Sequence, residues 1–290
     1  MGFTGLARWQ NAPPEGLALI QKNILSNHRG TVREKWYMTI KSFRSNMGAI
    51  PGLERSMSTV TMKDNVFVIV EDPAAPSRSE IMQQLPGEAP PFNPSHYRQT
   101  YITVTPPGSL EQLLDQLRAP WVTTRNHPQG ASGPQKLQDS GVQLSVSGNV
   151  YSVGPDWIVR AGNVAHAGGT MRGLLLEAEY LPLPVFTQET EVTSELMSNF
   201  IMSMLPHFDD AKTVAITISD FQWQEVLSER EEDQQEEAQA NTTEEPADDS
   251  IYISGEDIQH VVKKGDWAGV ERDRRSAYLI VGGLRMEGLL

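Results

Sequence analysis

The sequence predicts an α+β fold: an antiparallel β-barrel, closed or nearly closed, flanked by helices and carrying a disordered acidic insertion. Three observations predict it. Period-two hydrophobic stretches recur along the chain, helical stretches are few and do not alternate regularly with strands, and one acidic tract has too little apolar content to join a core. The expected organisation is a β-barrel domain with packed helices over residues 1–228, a disordered acidic linker over 229–250, and a C-terminal segment with a docking helix over 251–290.

Each element follows from local pattern. Phe3 to Trp9 is apolar and aromatic enough for a strand, and Pro13-Pro14-Glu15 opens a helix with proline in its first turn, its face carrying Leu17, Ile20 and Ile24. After Gly30 the period changes to two, with Trp36, Met38 and Ile40 on one side of a half-buried strand. Met57 to Met62 is a weaker strand candidate, and the β-branched and aromatic run Val66 to Val70 predicts a strand covered on both faces. Ser77 and Glu80 have capping-box spacing ahead of Ile81, Met82 and Leu85, a short helix stopped by Pro86-Gly87 and followed by a proline-rich loop. Tyr97 to Val104 is a strand; Ser109 with Gln112 repeats the capping-box spacing before Leu110, Leu113, Leu114 and Leu117; Asn126 to Gln135 reads as a loop.

The clearest β region spans Gly141 to Pro182. Val142, Leu144 and Val146 alternate with polar residues, Tyr151 to Val153 and Trp157 to Arg160 follow as short strands, and Gly168-Gly169 closes a hairpin into Leu174 to Tyr180, which together make a meander. Leu196, Met197, Phe200, Ile201, Met204 and Leu205 form the apolar face of a helix that breaks at Pro206, and Val214 to Ile218 is a last strand. Near the C-terminus Ala277, Ile280, Val281 and Leu284 have helical spacing. Gly282 and Gly283 each cost such a helix about 1 kcal/mol relative to alanine, so it needs docking, either on the barrel or on another subunit. Tyr278, Ile280, Val281 and Leu284 are therefore the candidate partner-binding residues.

Composition narrows the function. No apolar run approaches the roughly 20 residues of a membrane span, and the N-terminus has the wrong residue, Leu6, at the sixth place of a myristoylation signal. Cysteine is absent, which excludes disulfides and thiolate chemistry and suits a reducing compartment. Of the formal charge of -13, the stretch Glu229 to Asp249 carries -9 from ten acids and one base, leaving -4 for the rest, so direct binding of nucleic acid is disfavoured.

Motifs that carry chemistry are scarce. The six histidines are scattered, none at metal-ligand spacing, and each reads as an ordinary surface or loop residue. There is no phosphate-binding loop and no serine in a nucleophile elbow. Glu177 and Glu179 share a strand face about 7 Å apart along the chain and form the one candidate metal pair; the alternative to a scaffold is a barrel-type metal-dependent phosphohydrolase using them. Such a tunnel needs many charged residues from several strands, and here the facing candidates are mostly Ser, Gln, Val and Thr, so the pair is read as solvated carboxylates. Arg272, Arg274 and Arg275 are read as a solvated basic face. No cofactor is called for.

Three blocks together resemble a known family. The start Met1-Gly2-Phe3-Thr4-Gly5-Leu6-Ala7-Arg8-Trp9, the region Gly148 to Tyr180 ending Leu174-Leu175-Leu176-Glu177-Ala178-Glu179-Tyr180, and the tail Arg274 to Arg285 resemble subunit 20 of the Mediator complex, with the helix Glu191 to Leu205 in the matching order after the β block. The resemblance implies a barrel protein of the Mediator head module in the nucleus, paired with the barrel of subunit 18, connected through subunit 8, and acting on the RNA polymerase II machinery indirectly as a non-enzymatic coactivator subunit. It brings no catalytic residues.

Overall fold

The computed structural model describes residues 3–45, 54–78, 80–81, 94–116, 121–123, 143–181, 191–206, 213–217 and 269–290. Among the described residues ten strands lie in one antiparallel sheet: β1 (Phe3–Trp9), β2 (Thr31–Ser45), β3 (Ser56–Met62), β4 (Asn65–Glu71), β5 (Gln99–Val104), β6 (Trp121–Thr123), β7 (Gln143–Val153), β8 (Trp157–His166), β9 (Met171–Tyr180) and β10 (Thr213–Thr217). Their order is β10-β1-β9-β8-β7-β2-β3-β4-β5, with β6 paired to β2. Four helices accompany them among the described residues: α1 (Gly16–Ser26), α2 (Ser109–Gln116), α3 (Glu191–Met204) and α4 (Val270–Met286).

The large antiparallel sheet and the helices agree with expectation, but hydrogen bonds do not close a barrel among the described residues: β10 and β5 stand at the two ends of the order. A helix explains the opening. With side chains an α-helix is about 10–12 Å across, and α4 lies against the inner surface of the sheet, touching β1 and β10 near one end of the order and β3 and β4 near the other. Side-chain packing on α4 joins the two ends where no strand ladder does.

The alternation of the strands decides what meets what. On β9, Leu175, Glu177 and Glu179 face inward while Leu174, Leu176 and Ala178 face outward. The outer residues join Ala7 and Trp9 of β1, Val159 and Ala161 of β8, Ile20 and Ile24 of α1, and Met197, Ile201 and Met204 of α3 in one buried cluster. Burying both faces explains the uninterrupted apolar triplet Leu174-Leu175-Leu176 in β9. The inner cluster brings together Trp36, Met38 and Ile40 of β2, Val60 and Met62 of β3, Phe67 and Ile69 of β4, and Ala277, Leu279, Ile280, Val281 and Leu284 of α4. A third cluster seats α2 through Leu110 on the outer residues Phe43, Met57, Val66 and Val68.

Details differ from the sequence reading in instructive places. Tyr151 to Val153 continues β7 as one strand of 11 residues rather than starting another. Within it Gly148 stands in register with Trp36 on β2 and Gly162 on β8, and a Cβ there would overlap the Ala161 carbonyl oxygen, so the two glycines let the strands approach. β6, three residues long, gave no periodic signal. The Ser77–Glu80 capping box forms, with Ser77 N–H on Glu80 Oε2 at 2.9 Å and Glu80 N–H on Ser77 Oγ at 3.1 Å. The rest of that helix, the proline-rich loop, the loop Asn126 to Gln135 and the acidic linker 229–250 lie outside the described residues.

Candidate functional site: a buried charged seam under the C-terminal helix

Arg160 on β8 is directly opposite Glu177 on β9, and both face inward. Its guanidinium donates to Glu177 Oε1 and, at 3.2 Å, to Glu179 Oε2. The first turns of α4 complete the seam: Arg272 Nε donates to Glu179 Oε1 at 3.0 Å, and one turn later Ser276 Oγ donates to Glu177 Oε2. Glu177 and Glu179 are 0% and 1% exposed, so the reading of solvated surface carboxylates is corrected. Strand alternation alone predicted a shared face correctly but could not say which face was covered, because the covering helix lies about 95 residues further along the chain.

A carboxylate buried this deeply persists as an ion only with partners, and here each has two. Burial works against the Arg160 cation, but Glu177, Glu179 and Asp273 outweigh it and hold its pKa above the ordinary value. Asp273, beside the seam, goes the other way: burial pushes its pKa up despite Lys63 at 3.9 Å and the two arginines. Among the described residues no three His, Asp or Glu converge as metal ligands. Each oxygen of the predicted metal pair already accepts a hydrogen bond, from Arg160, Arg272 or Ser276, and two of these donors are cations.

Further clamps fix α4 along its length. Tyr101 OH donates to the Arg274 carbonyl, Tyr278 OH donates to Gln99 Oε1 at 3.1 Å, and Arg274 lies over the Tyr101 ring at 5.0 Å. At the C-terminal end Arg285 donates to Glu71 at 2.8 Å and to Ser58 Oγ at 3.0 Å, where a cation also suits the helix dipole. Glu287, just beyond, accepts from Arg8 Nε at 3.2 Å. Arg8 is 1% exposed and also donates to the carbonyls of Leu174 and Arg172, both at 2.9 Å; burial lowers its pKa against the raising effect of Glu287.

The four candidate partner-binding residues are therefore placed as follows. Ile280, Val281 and Leu284 are at most 1% exposed and pack in the chain's own inner cluster; Tyr278 is half-buried against Tyr101. Of the two docking surfaces the sequence allowed for this helix, the described structure uses the sheet of the same chain, because the seam and the apolar interior match it along its whole length. A partner would meet these side chains only with α4 out of its seat. Arg272, read as a solvated base, is a member of the seam.

One constellation escaped the sequence reading. Ser95 Oγ lies 3.0 Å from His96 Nδ1, and His96 Nε2 lies 2.8 Å from Asp72 Oδ2, so His96 has a partner after all. It has the residue types of a hydrolytic triad but not its electrostatics, since Arg55 Nε also binds Asp72 Oδ2 at 2.7 Å and the Ala74 N–H takes its other oxygen at 3.1 Å. Burial alone would raise the Asp72 pKa, yet His96, Ala74 and Arg55 hold it below the ordinary value. The cluster latches the turn after β4; the signal available in the sequence was the turn-forming Asp72-Pro73.

The fold and the seam define an α+β protein whose sheet is wrapped on its own terminal helix, with structural rather than exposed charges inside. The sequence profile of a family described as the TATA-binding related factor (TRF) of subunit 20 of the Mediator complex matches residues 1–243. The chain belongs to this Mediator subunit 20 family. A Mediator of RNA polymerase II transcription subunit 20 from Caenorhabditis briggsae is 28% identical over 82 residues, a match that spans 28% of this chain and 39% of that relative's length. Among solved structures, the PH1012 protein of Pyrococcus horikoshii OT3 aligns over 73% of this chain and 94% of its own at 9% identity and a TM-score of 0.37. The Mimivirus capping enzyme triphosphatase aligns over 70% and 89% at 7% identity and a TM-score of 0.28. Likenesses this distant carry no inference about activity.

Proposed function

We propose that this protein is a non-enzymatic, protein-binding subunit of the Mediator head module in the nucleus, paired with subunit 18, connected through subunit 8, and serving RNA polymerase II transcription as part of a coactivator. Family membership supports the complex. The observation that carries the non-enzymatic reading is the seat of α4: Leu279, Ile280, Val281 and Leu284 fill the inner surface of the sheet, and the interior carboxylates bind arginines rather than open space. A barrel hydrolase needs that volume for substrate and those carboxylates for metal. What remains for function is the solvent-facing surface and its openings, as in a module that works by being held and holding others.

Affinity capture of the tagged full chain from nuclear extract, followed by mass spectrometry, tests this reading. Mediator head subunits, with subunit 18 at near-stoichiometric yield, are the expected result; a captured set without Mediator subunits overturns it. In parallel, the purified protein with magnesium or manganese should leave nucleoside triphosphates intact. Hydrolysis that disappears in the Glu177→Gln, Glu179→Gln double variant would establish the phosphohydrolase instead.

A further inference from the structure

A cavity of about 280 Å³ opens at the end of the interior where α4 begins, and three arginines line it: Arg33 from β2, Arg160 from β8 and Arg272 from α4. They are not equivalent. Arg160 forms the floor with its guanidinium committed to Glu177 and Glu179. Arg272 uses its Nε on Glu179, and Arg33 uses its Nε on Ser152 Oγ at 2.9 Å. Among the described residues no group accepts from the terminal Nη atoms of Arg33 or Arg272, so two guanidinium forks border one cavity with their outer donors uncommitted. The rest of the lining is mostly apolar, from Val150, Pro155, Trp157, Ile158 and Leu181, with Glu34 and Ser152 beside Arg33 as its polar members.

Guanidinium forks select carboxylates and phosphates by paired, nearly parallel N–H donation. The charge around the cavity is close to balanced, because Glu34 stands 3.8 Å from Lys63 and the two buried glutamates offset two of the arginines. A multiply charged phosphate would thus find little net attraction. A singly charged group that brings apolar surface would find both its needs met, the forks for the carboxylate and Trp157 with Ile158 and Leu181 for its neighbour. We propose that this cavity is a docking site for an acidic side chain flanked by a large apolar residue in an extended segment of a partner protein. This deepens the scaffold reading, and rests on it for the ligand being a protein segment.

The test uses the full-length protein and a blocked hexapeptide alternating Glu and Leu, with the matching Gln–Leu peptide and inorganic phosphate as comparison probes. Binding is followed by the indole N–H resonance of Trp157, assigned with a Trp157→Phe variant. The expected result is saturable shifting by the Glu–Leu peptide, weakened at least about tenfold by Arg33→Gln, a change on an exposed side chain, and at least about tenfold by replacing Glu with Gln in the peptide. Equal binding of the Gln–Leu peptide, no shift at millimolar peptide, or insensitivity to Arg33→Gln overturns the site. Tighter binding of phosphate than of the peptide overturns the choice of ligand. Capture of Mediator subunits by the native full chain separates the two readings: a failed peptide site with intact capture leaves the scaffold standing, and a working peptide site without capture removes the scaffold alone.

Discussion

Replacing Arg160 by methionine keeps the length and most of the apolar stem of the side chain but removes the charge between two buried carboxylates. Glu179 retains Arg272, while Glu177, 0% exposed, keeps only the hydroxyl of Ser276 among the described residues. Removing one partner of a buried ion pair costs about 3–5 kcal/mol, because the other charge is left in a medium that solvates it poorly. For a domain of about 150–250 residues each kcal/mol moves Tm by about 2–4 °C, so the expected fall is about 6–20 °C. The companion Arg160→Met, Glu177→Leu variant removes both charges, and an apolar replacement of a buried pair is often neutral or stabilising, so more than half of the loss should return. Urea unfolding followed by tryptophan fluorescence and circular dichroism gives both values by linear extrapolation. A loss below about 1 kcal/mol in the single variant, or a double variant equal to the sum of the two single losses, would refute the seam as a coupled buried network.

Three further outcomes follow from the same packing. Ile280→Ala and Leu284→Ala should each cost about 2–5 kcal/mol through lost burial and cavity formation, the Ile280→Asp, Leu284→Asp protein should fail to unfold cooperatively, and amides of 277–284 should resist hydrogen exchange in the isolated protein; rapid exchange there would return the helix to a partner. Since Asp72 is held below the ordinary carboxylate range in the folded state and titrates near about 3.9 when unfolded, its stabilisation is present above about pH 4 and lost as pH falls below that. The difference in urea midpoint between the native protein and Asp72→Asn should accordingly be clear at pH 6.5 and shrink progressively as the pH is taken below about 4. Gly148→Ala, which forces a methyl group into the Ala161 carbonyl, should destabilise by at least about 1–3 kcal/mol in the same measurement, whereas Gly168→Ala, with open space at its Cβ, should cost much less.

Local order was written into the sequence wherever one element could bury one face. The alternation Trp36-Met38-Ile40 and the four-residue recurrence Met197, Ile201, Met204 and Leu205 specify a strand and a helix whose apolar residues are buried in the structure. The hairpin at Gly169, with φ of 81°, follows from a residue that tolerates that conformation. The meander β7-β8-β9 was legible because its connections are short. The strand order across the sheet, the failure of the ladder to close, and the covering of the inner face were not, because they depend on contacts distant in sequence. Glu177 and Glu179 make the point most directly. Period two placed them on one face, but an acid beside apolar neighbours reads as solvated until its partner is known. That partner is a helix at the far end of the chain, whose Arg272 and Ser276 appear one turn apart and become meaningful only when set against Arg160. Sequence fixes periodicity because backbone geometry is local; tertiary structure alone decides which charges meet, since the electrostatic cost of burial is settled by the groups that packing brings within about 3 Å of one another.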